Sequence, residues 1–201
     1  FLNKLYTKGV GEFFYRNKID YHKLKNIPKK KNKKTQAINI KLSNKVLLPW
    51  GGGKDSCVSA ELLKELGHDF TLITLRDSDI QRATAKITGK DRIINDRSID
   101  PALIELNKTG VYNGHIPISA IYSWTTVLTA ALYDYRHIIY SNEASANFGN
   151  VKYLGSEINH QYSKSLEFEN DFREYLKNFV SPDINHFSSL RQFSDLKISS
   201  L

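Results

Sequence analysis

The stretch VLLPWGGGKDS, Val46 to Ser56, constrains the fold of this chain more than any other. An apolar run of strand length stops at three consecutive glycines. The residues after them, CVSAELLKELG, set Val58, Leu62 and Leu66 four apart with Leu63 beside them, which is the spacing of an amphipathic helix. Gly67 stands where such a helix is capped. FTLITL, Phe70 to Leu75, then reads as a second strand. Strand, turn, helix and strand in this order require a parallel pair joined by a right-handed crossover.

A glycine turn between a strand and a helix is suited to an anion. Glycines admit positive φ and let backbone N–H groups approach a ligand closely. The helix start adds unpaired N–H donors and the positive end of its dipole. Gly51, Gly52 and Gly53 thus form a nest, to which Lys54 adds a charge and Ser56 a hydroxyl. Asp55 is the odd member, because a carboxylate repels phosphate unless a cation lies between them. Mg²⁺ bridging Asp55 and a polyphosphate resolves the conflict. The spacing does not match a Walker A loop, and Ser56 breaks the dinucleotide pattern G-x-G-x-x-G.

The rest of the chain is read more coarsely. Residues 1–24 are rich in aromatics and are expected to pack on a core; 25–37 read as a lysine-rich loop. INIKL, Ile38 to Leu42, alternates like a half-buried strand, RIIN (92–95) reads as a short strand, and Asn113-Gly114 as a turn. A long helix is expected from Ser119 to about Tyr135, then a strand at HIIYS (137–141). A second long helix is expected from about Ser163, with Phe168, Phe172, Tyr175, Leu176 and Phe179 on one face, and a last helix begins in SDLKISSL. Tyr112, Tyr122 and Trp124 are taken as packing residues, and His68 and His137 as structural. Arg76 and Asp77 end the second strand. The sum is an α/β fold, a mainly parallel sheet of about five strands with helices on both faces. The expected organisation is an extension (1–45), a domain built on the glycine turn (46–180) and the start of a C-terminal part (181–201).

Net charge is +8, yet ten lysines lie between Tyr21 and Lys54 with no acid among them, so the remainder is close to neutral. The run PKKKNKKT has no interleaved aromatics and reads as a solvated loop, so nucleic acid is not the expected partner, although segment 23–45 leaves it open. One cysteine, Cys57, excludes a disulfide framework within the chain, and a reducing, cytoplasmic setting is the default. At a helix start its thiolate is favoured. No apolar run reaches membrane-spanning length, so no membrane partner is expected. A chain that begins at Phe and holds no Met is expected to be a piece cut at both ends from a longer product.

GGGKDS resembles the pyrophosphate loop of the PP-loop ATP pyrophosphatases, which cleave ATP between the α and β phosphates. The resemblance extends further. FFYRNKID, IDPALIELNKTGVYNGHIPISAIYS, SNEASANFGN and INHQYSKSLEFENDF, in this order, are similar to the UDP-N-acetylmuramoyl-L-alanyl-L-glutamate epimerases, over roughly residues 12–201. That resemblance implies a PP-loop fold, ATP and Mg²⁺ as cofactors, and a UDP-muramoyl-dipeptide as substrate. The implied chemistry is epimerisation of the terminal glutamate through an acyl-adenylate, with release of AMP and pyrophosphate. For proton transfer the leading pair is His115 and His160, since imidazole titrates closest to neutral pH. Glu143 is the next base, or a second metal ligand after Asp55. Lys164 is placed with the catalytic group, and Asn142, Gln161 and Ser163 with substrate binding. Two other readings remain open: another adenylating PP-loop enzyme such as a tRNA-modifying one, and a non-catalytic ATP-binding fragment. The lone Cys57 counts against a thiolating member.

Overall fold

The computed structural model describes residues 1–28 and 36–201. In chain order its elements are α1 (Leu2–Lys8), α2 (Gly11–Arg16), β1 (Val46–Pro49), α3 (Lys54–Glu65), β2 (Phe70–Thr74), α4 (Asp79–Thr88), β3 (Arg92–Ile94), α5 (Pro101–Leu106) and α6 (Ile118–Leu132). Then follow β4 (His137–Tyr140), a hairpin of β5 (Val151–Tyr153) and β6 (Ser156–Ile158), α7 (Leu166–Phe179), β7 (Asn185–Ser188) and α8 (Asp195–Ile198).

Five strands form one parallel sheet in the order β3-β2-β1-β4-β7. The central strand β1 is buried on both sides, which is why Val46, Leu47 and Leu48 are apolar without alternation. Its side chains split the core in two. Leu47, with Ile73, Ile138 and Tyr140, faces Ala120 and Val127 of α6 and Phe168, Phe172 and Leu176 of α7. Val46 and Leu48, with Phe70, Leu72 and Ile139, face Ala60 and Leu63 of α3 and Ala85 of α4. The expected α/β sheet of five strands with helices on both faces is what forms. The chain winds outward from β1 to β3, then returns through α6 to β4 on the other side of β1. That reversal leaves a crevice beyond the C-terminal ends of β1 and β4.

Of the N-terminal aromatics, Phe14 is buried as expected, while Tyr15 is 42% exposed. The Phe1 ring lies 5.1–6.2 Å, centre to centre, from Tyr175, Phe172, Phe168 and Trp124. Lys4 and Lys8 tie α1 to Glu167 of α7, and Lys4 also reaches Asp171. Tyr112, by contrast, is exposed rather than packed. Because β7 pairs with β4, the sheet runs past residue 180, where a C-terminal part was expected to begin.

Three local expectations change. The buried face of α3 is Ser56, Ser59, Ala60 and Leu63, whereas Leu66 is 71% exposed. Small residues let the helix lie close to the sheet end, where Ser59 Oγ is 3.0 Å from Ser189 Oγ. INIKL forms no strand: it runs past the end of α7, with the Ile38 N–H donating to Val180 O at 2.9 Å. Asn113-Gly114 is a close approach instead of a positive-φ turn, since a Cβ on Gly114 would stand 3.2 Å from Phe13 Cα. Most of the lysine run, 29–35, lies outside the described residues. Among the described residues no helix is long and apolar enough to cross a membrane.

His186 of β7 is 2% exposed, between the rings of Tyr140 (4.8 Å) and Phe172 (4.9 Å), with Nε2 3.3 Å from Ser123 Oγ. Burial, helped by Arg173 and Arg191, pushes its pKa down from 6.5 to about 3. The unfolded chain therefore takes up a proton below its ordinary pKa that the folded chain refuses. Stability is full above that pKa and falls as pH drops toward 3, by about 1.4 kcal/mol per pH unit. Urea unfolding at pH 6, 5 and 4 is expected to be steeper in pH in the wild type than in His186→Leu, by close to this slope. Equal slopes would contradict it.

Candidate functional site

The glycine turn is held by what lies beneath it. Trp50 is 1% exposed, its indole N–H donating to Gln81 O at 3.3 Å, while Gln81 Nε2 donates to Trp50 O at 3.0 Å. Gln81 in turn closes the capping box of α4 with Ser78. Gly52 has φ +75°, and a Cβ there would meet Thr84 Oγ1 at 2.9 Å and Gln81 Cα at 3.2 Å. Gly51 and Gly53 are different: a Cβ on either would meet nothing within 4 Å. One glycine is thus pressed on α4, and the other two leave the outer face of the turn open.

Gly53 is the N-cap of α3, and no side chain caps it. The first residues of this twelve-residue helix thus line the crevice, and no side-chain oxygen caps its N–H groups. Lys54 Nζ lies 3.0 Å from Asp55 Oδ1 and bonds Asp195 of α8, and these two carboxylates raise its pKa. Ser56 is buried, and its hydroxyl donates to Gly53 O at 2.9 Å. It braces the turn here, where direct donation to a ligand was expected.

The crevice measures about 370 Å³. One wall is the turn with Lys54 and Asp55; the other is Tyr140, Ser141 and Asn142 at the end of β4, with Lys164 from the turn before α7. Ser141 Oγ is buried there without a partner among the described residues. Asn142 and Lys164, taken from the sequence as site residues, are thus brought opposite the glycines.

The remaining candidates separate. His115 and His160, 45 positions apart in the sequence, meet edge to face with ring centres 6.3 Å apart. His160 Nδ1 is 3.3 Å from Asn150 Oδ1. Neither lines the crevice; the 3₁₀ turn Tyr162–Lys164 connects His160 to it. Gln161 starts that turn, and its N–H donates to Asn159 Oδ1 at 2.7 Å. Ser163 is buried and does not line the crevice. Glu143 caps the turn Ala144–Asn147, its carboxylate accepting from Ser145 N and Oγ, both at 2.6 Å. Burial and Glu61 raise the Cys57 thiol, in line with a structural cysteine and against the thiolate that a helix start would favour. Arg82 and Arg92 hold Asp77 below the usual carboxylate range. His137 is structural, bonded to Asn44 and Asn185. Among the described residues no group of three or more His, Cys, Asp or Glu gathers as a metal site. The residue that sequence reasoning missed is Arg191, which ties the loops behind the crevice together; nothing near it in sequence marks it.

The family model described as the MurL N-terminal domain matches residues 1–189. A UDP-N-acetyl-alpha-D-muramoyl-L-alanyl-L-glutamate epimerase of Xanthomonas oryzae pv. oryzae is 37% identical over 198 residues, 98% of this chain and 44% of that protein. Those of a Micromonospora species and of Salinispora tropica are 37% and 36% identical, again over 43–44% of their lengths. The chain thus spans less than half the length of these relatives. Among solved structures, a predicted subunit of tRNA methyltransferase from Methanocaldococcus jannaschii aligns with 79% of this chain and 73% of that one, at 18% identity and a TM-score of 0.45. A likeness this faint leaves the fold to rest on the sheet described above.

The three glycines are expected to respond differently to Ala. Gly52→Ala should cost about 1–3 kcal/mol in urea unfolding, from strained φ and the contact with α4. Gly51→Ala and Gly53→Ala should change stability by less than about 1 kcal/mol. Equal losses at all three positions would contradict the pinned turn.

Proposed function

This chain belongs to the family of the MurL N-terminal domain, and from that membership we propose that it carries the ATP-dependent epimerisation of the terminal L-glutamate of UDP-N-acetylmuramoyl-L-alanyl-L-glutamate, in peptidoglycan precursor synthesis. The observation that supports ATP use is the uncapped start of α3 behind two open glycines, at the crevice where the sheet reverses its winding. The donor set fits Mg-ATP. Mg²⁺ keeps most of its waters and takes one or two carboxylates beside phosphate oxygens, and Asp55 at the crevice supplies one. When bound, the ion neutralises phosphate charge. Lys54, shared here by two carboxylates, is the side chain that exchanges one of them for a phosphate.

The chemistry explains why an epimerase uses ATP. Taking the α-proton beside a free carboxylate would place a carbanion next to an existing negative charge. In the proposed step the carboxylate oxygen attacks the α-phosphorus, the bond to the β-phosphate breaks, and pyrophosphate leaves. The acyl-adenylate has lost that charge, and its carbonyl is a better electron sink, so a side-chain base suffices. One imidazole of the His115–His160 pair takes the proton and the other returns one to the opposite face. Reactive contacts need roughly 3–3.5 Å on each side of the α-carbon, so the two rings move apart as substrate enters. Water then cleaves the acyl–phosphate bond, restoring the carboxylate and releasing AMP.

With Mg-ATP and this substrate in D₂O, AMP formation and deuterium at the glutamate α-carbon are expected together. Asp55→Ala should lose both while remaining folded. His115→Gln and His160→Gln should keep AMP formation and lose deuterium incorporation by roughly 10²–10⁴-fold. Wild-type turnover in Asp55→Ala would overturn the loop's role. Normal deuterium incorporation in both histidine variants would overturn the acid–base pair.

A further inference from the structure

Arg191, just beyond β7 and two residues past the matched region, is 14% exposed and forms an ion pair with Glu169 of α7, which is 6% exposed (Nη2 to Oε2, 2.7 Å). Its Nη1 donates to the Lys164 carbonyl at 2.9 Å and to the Glu143 carbonyl at 3.2 Å, and Nη2 also reaches Ser188 Oγ at 3.3 Å. One guanidinium thus joins the loop after β4, the turn before α7, α7 itself and the end of β7. Two of these carry the crevice wall that faces the glycines: Asn142 directly precedes Glu143, and Lys164 lines the crevice itself.

A buried ion pair is a poor device for stability alone, since apolar residues of the same volume usually serve as well. What the pair supplies is geometry. A planar fork of five donors can hold two carbonyls, a hydroxyl and a carboxylate at once, which an ammonium cannot do. Glu169 orients the fork in a face otherwise made of Phe168, Phe172 and Leu176.

We propose that Arg191, oriented by Glu169, is a positioning residue for the crevice: it sets the Lys164 turn and the Asn142 loop at the distance from the glycine turn that a bound polyphosphate requires, and it acts on the ligand through Lys164. This rests on the reading of the crevice as a nucleotide site, and the test separates the two. The affinity of the full chain for Mg-ATP and for inorganic pyrophosphate is measured in the wild type, Lys54→Ala, Arg191→Met, Arg191→Lys, Glu169→Gln, Lys164→Ala and the Arg191→Met/Lys164→Ala double variant. Circular dichroism and urea unfolding verify folding.

Wild-type binding that is lost in Lys54→Ala establishes the crevice. Arg191→Met should then weaken binding roughly tenfold or more, with little further loss when Lys164 is already Ala. Arg191→Lys retains the charge and the fold but should not restore affinity, and it carries the test together with Glu169→Gln if Arg191→Met does not fold. Absence of wild-type binding would remove the crevice reading and the role of Arg191 with it. Wild-type affinity in Arg191→Lys and Glu169→Gln, or an undiminished loss from Arg191→Met in the Lys164→Ala background, would overturn the positioning role alone.

Discussion

Gly52 lies against α4 so closely that no side chain fits between them, and the arrangement of the crevice follows from that contact. The backbone must turn with positive φ at this point, so the chain leaves β1 steeply and α3 begins with its N–H groups at the sheet's C-terminal edge. The reciprocal bonds of Trp50 and Gln81 hold α4 where the contact needs it. Because β1 is central and buried on both faces, the turn has a rigid base, and its position relative to β4 is set by the parallel register from Val46 to His137. A loop built in this way is organised before any ligand arrives, which is what close approach of backbone donors to an anion demands.

Charge follows the same division. Most of the excess positive charge lies in the lysine segment, and the folded body around the site is nearly balanced. At the turn, Lys54 meets Asp55 and Asp195, so its charge is locally balanced. The two histidines stand outside this region, joined to it by the short turn that carries Gln161 and Lys164. In the proposed reaction this arrangement keeps phosphate binding and proton transfer on separate surfaces, linked by the one turn that Arg191 holds.

Much of this was legible in the sequence where local chemistry decides structure. The β1–turn–α3–β2 unit, the Gly67 cap and the Phe168, Phe172 and Leu176 face of α7, from which Phe179 departs as exposed, all rest on short-range patterns. The misreadings come from tertiary packing. The leucines of α3 suggested its buried face, but close approach to the sheet admits serine and alanine and sends Leu66 to solvent. INIKL alternates like a strand but lies outside the sheet. Glu143, weighed as a base, a metal ligand or the brace of a backbone turn, is found bracing the 3₁₀ turn that follows it, a contact with no periodic mark. Arg191 was invisible because its partners, Glu143, Lys164, Glu169 and Ser188, lie at spacings that no motif records. The reverse holds for His115 and His160, whose residue type alone marked them before the fold placed their rings together.

In the proposed function, the open face of the glycine turn and the start of α3 bind the polyphosphate of Mg-ATP. Hydrogen exchange of individual amides, with and without saturating Mg-ATP, tests it most directly. Slowed exchange is expected at Gly53, Lys54, Asp55 and Ser56, with a smaller effect at Ser141 and Asn142 across the crevice. Unchanged exchange at the turn, or protection confined to segments away from the crevice, would contradict it.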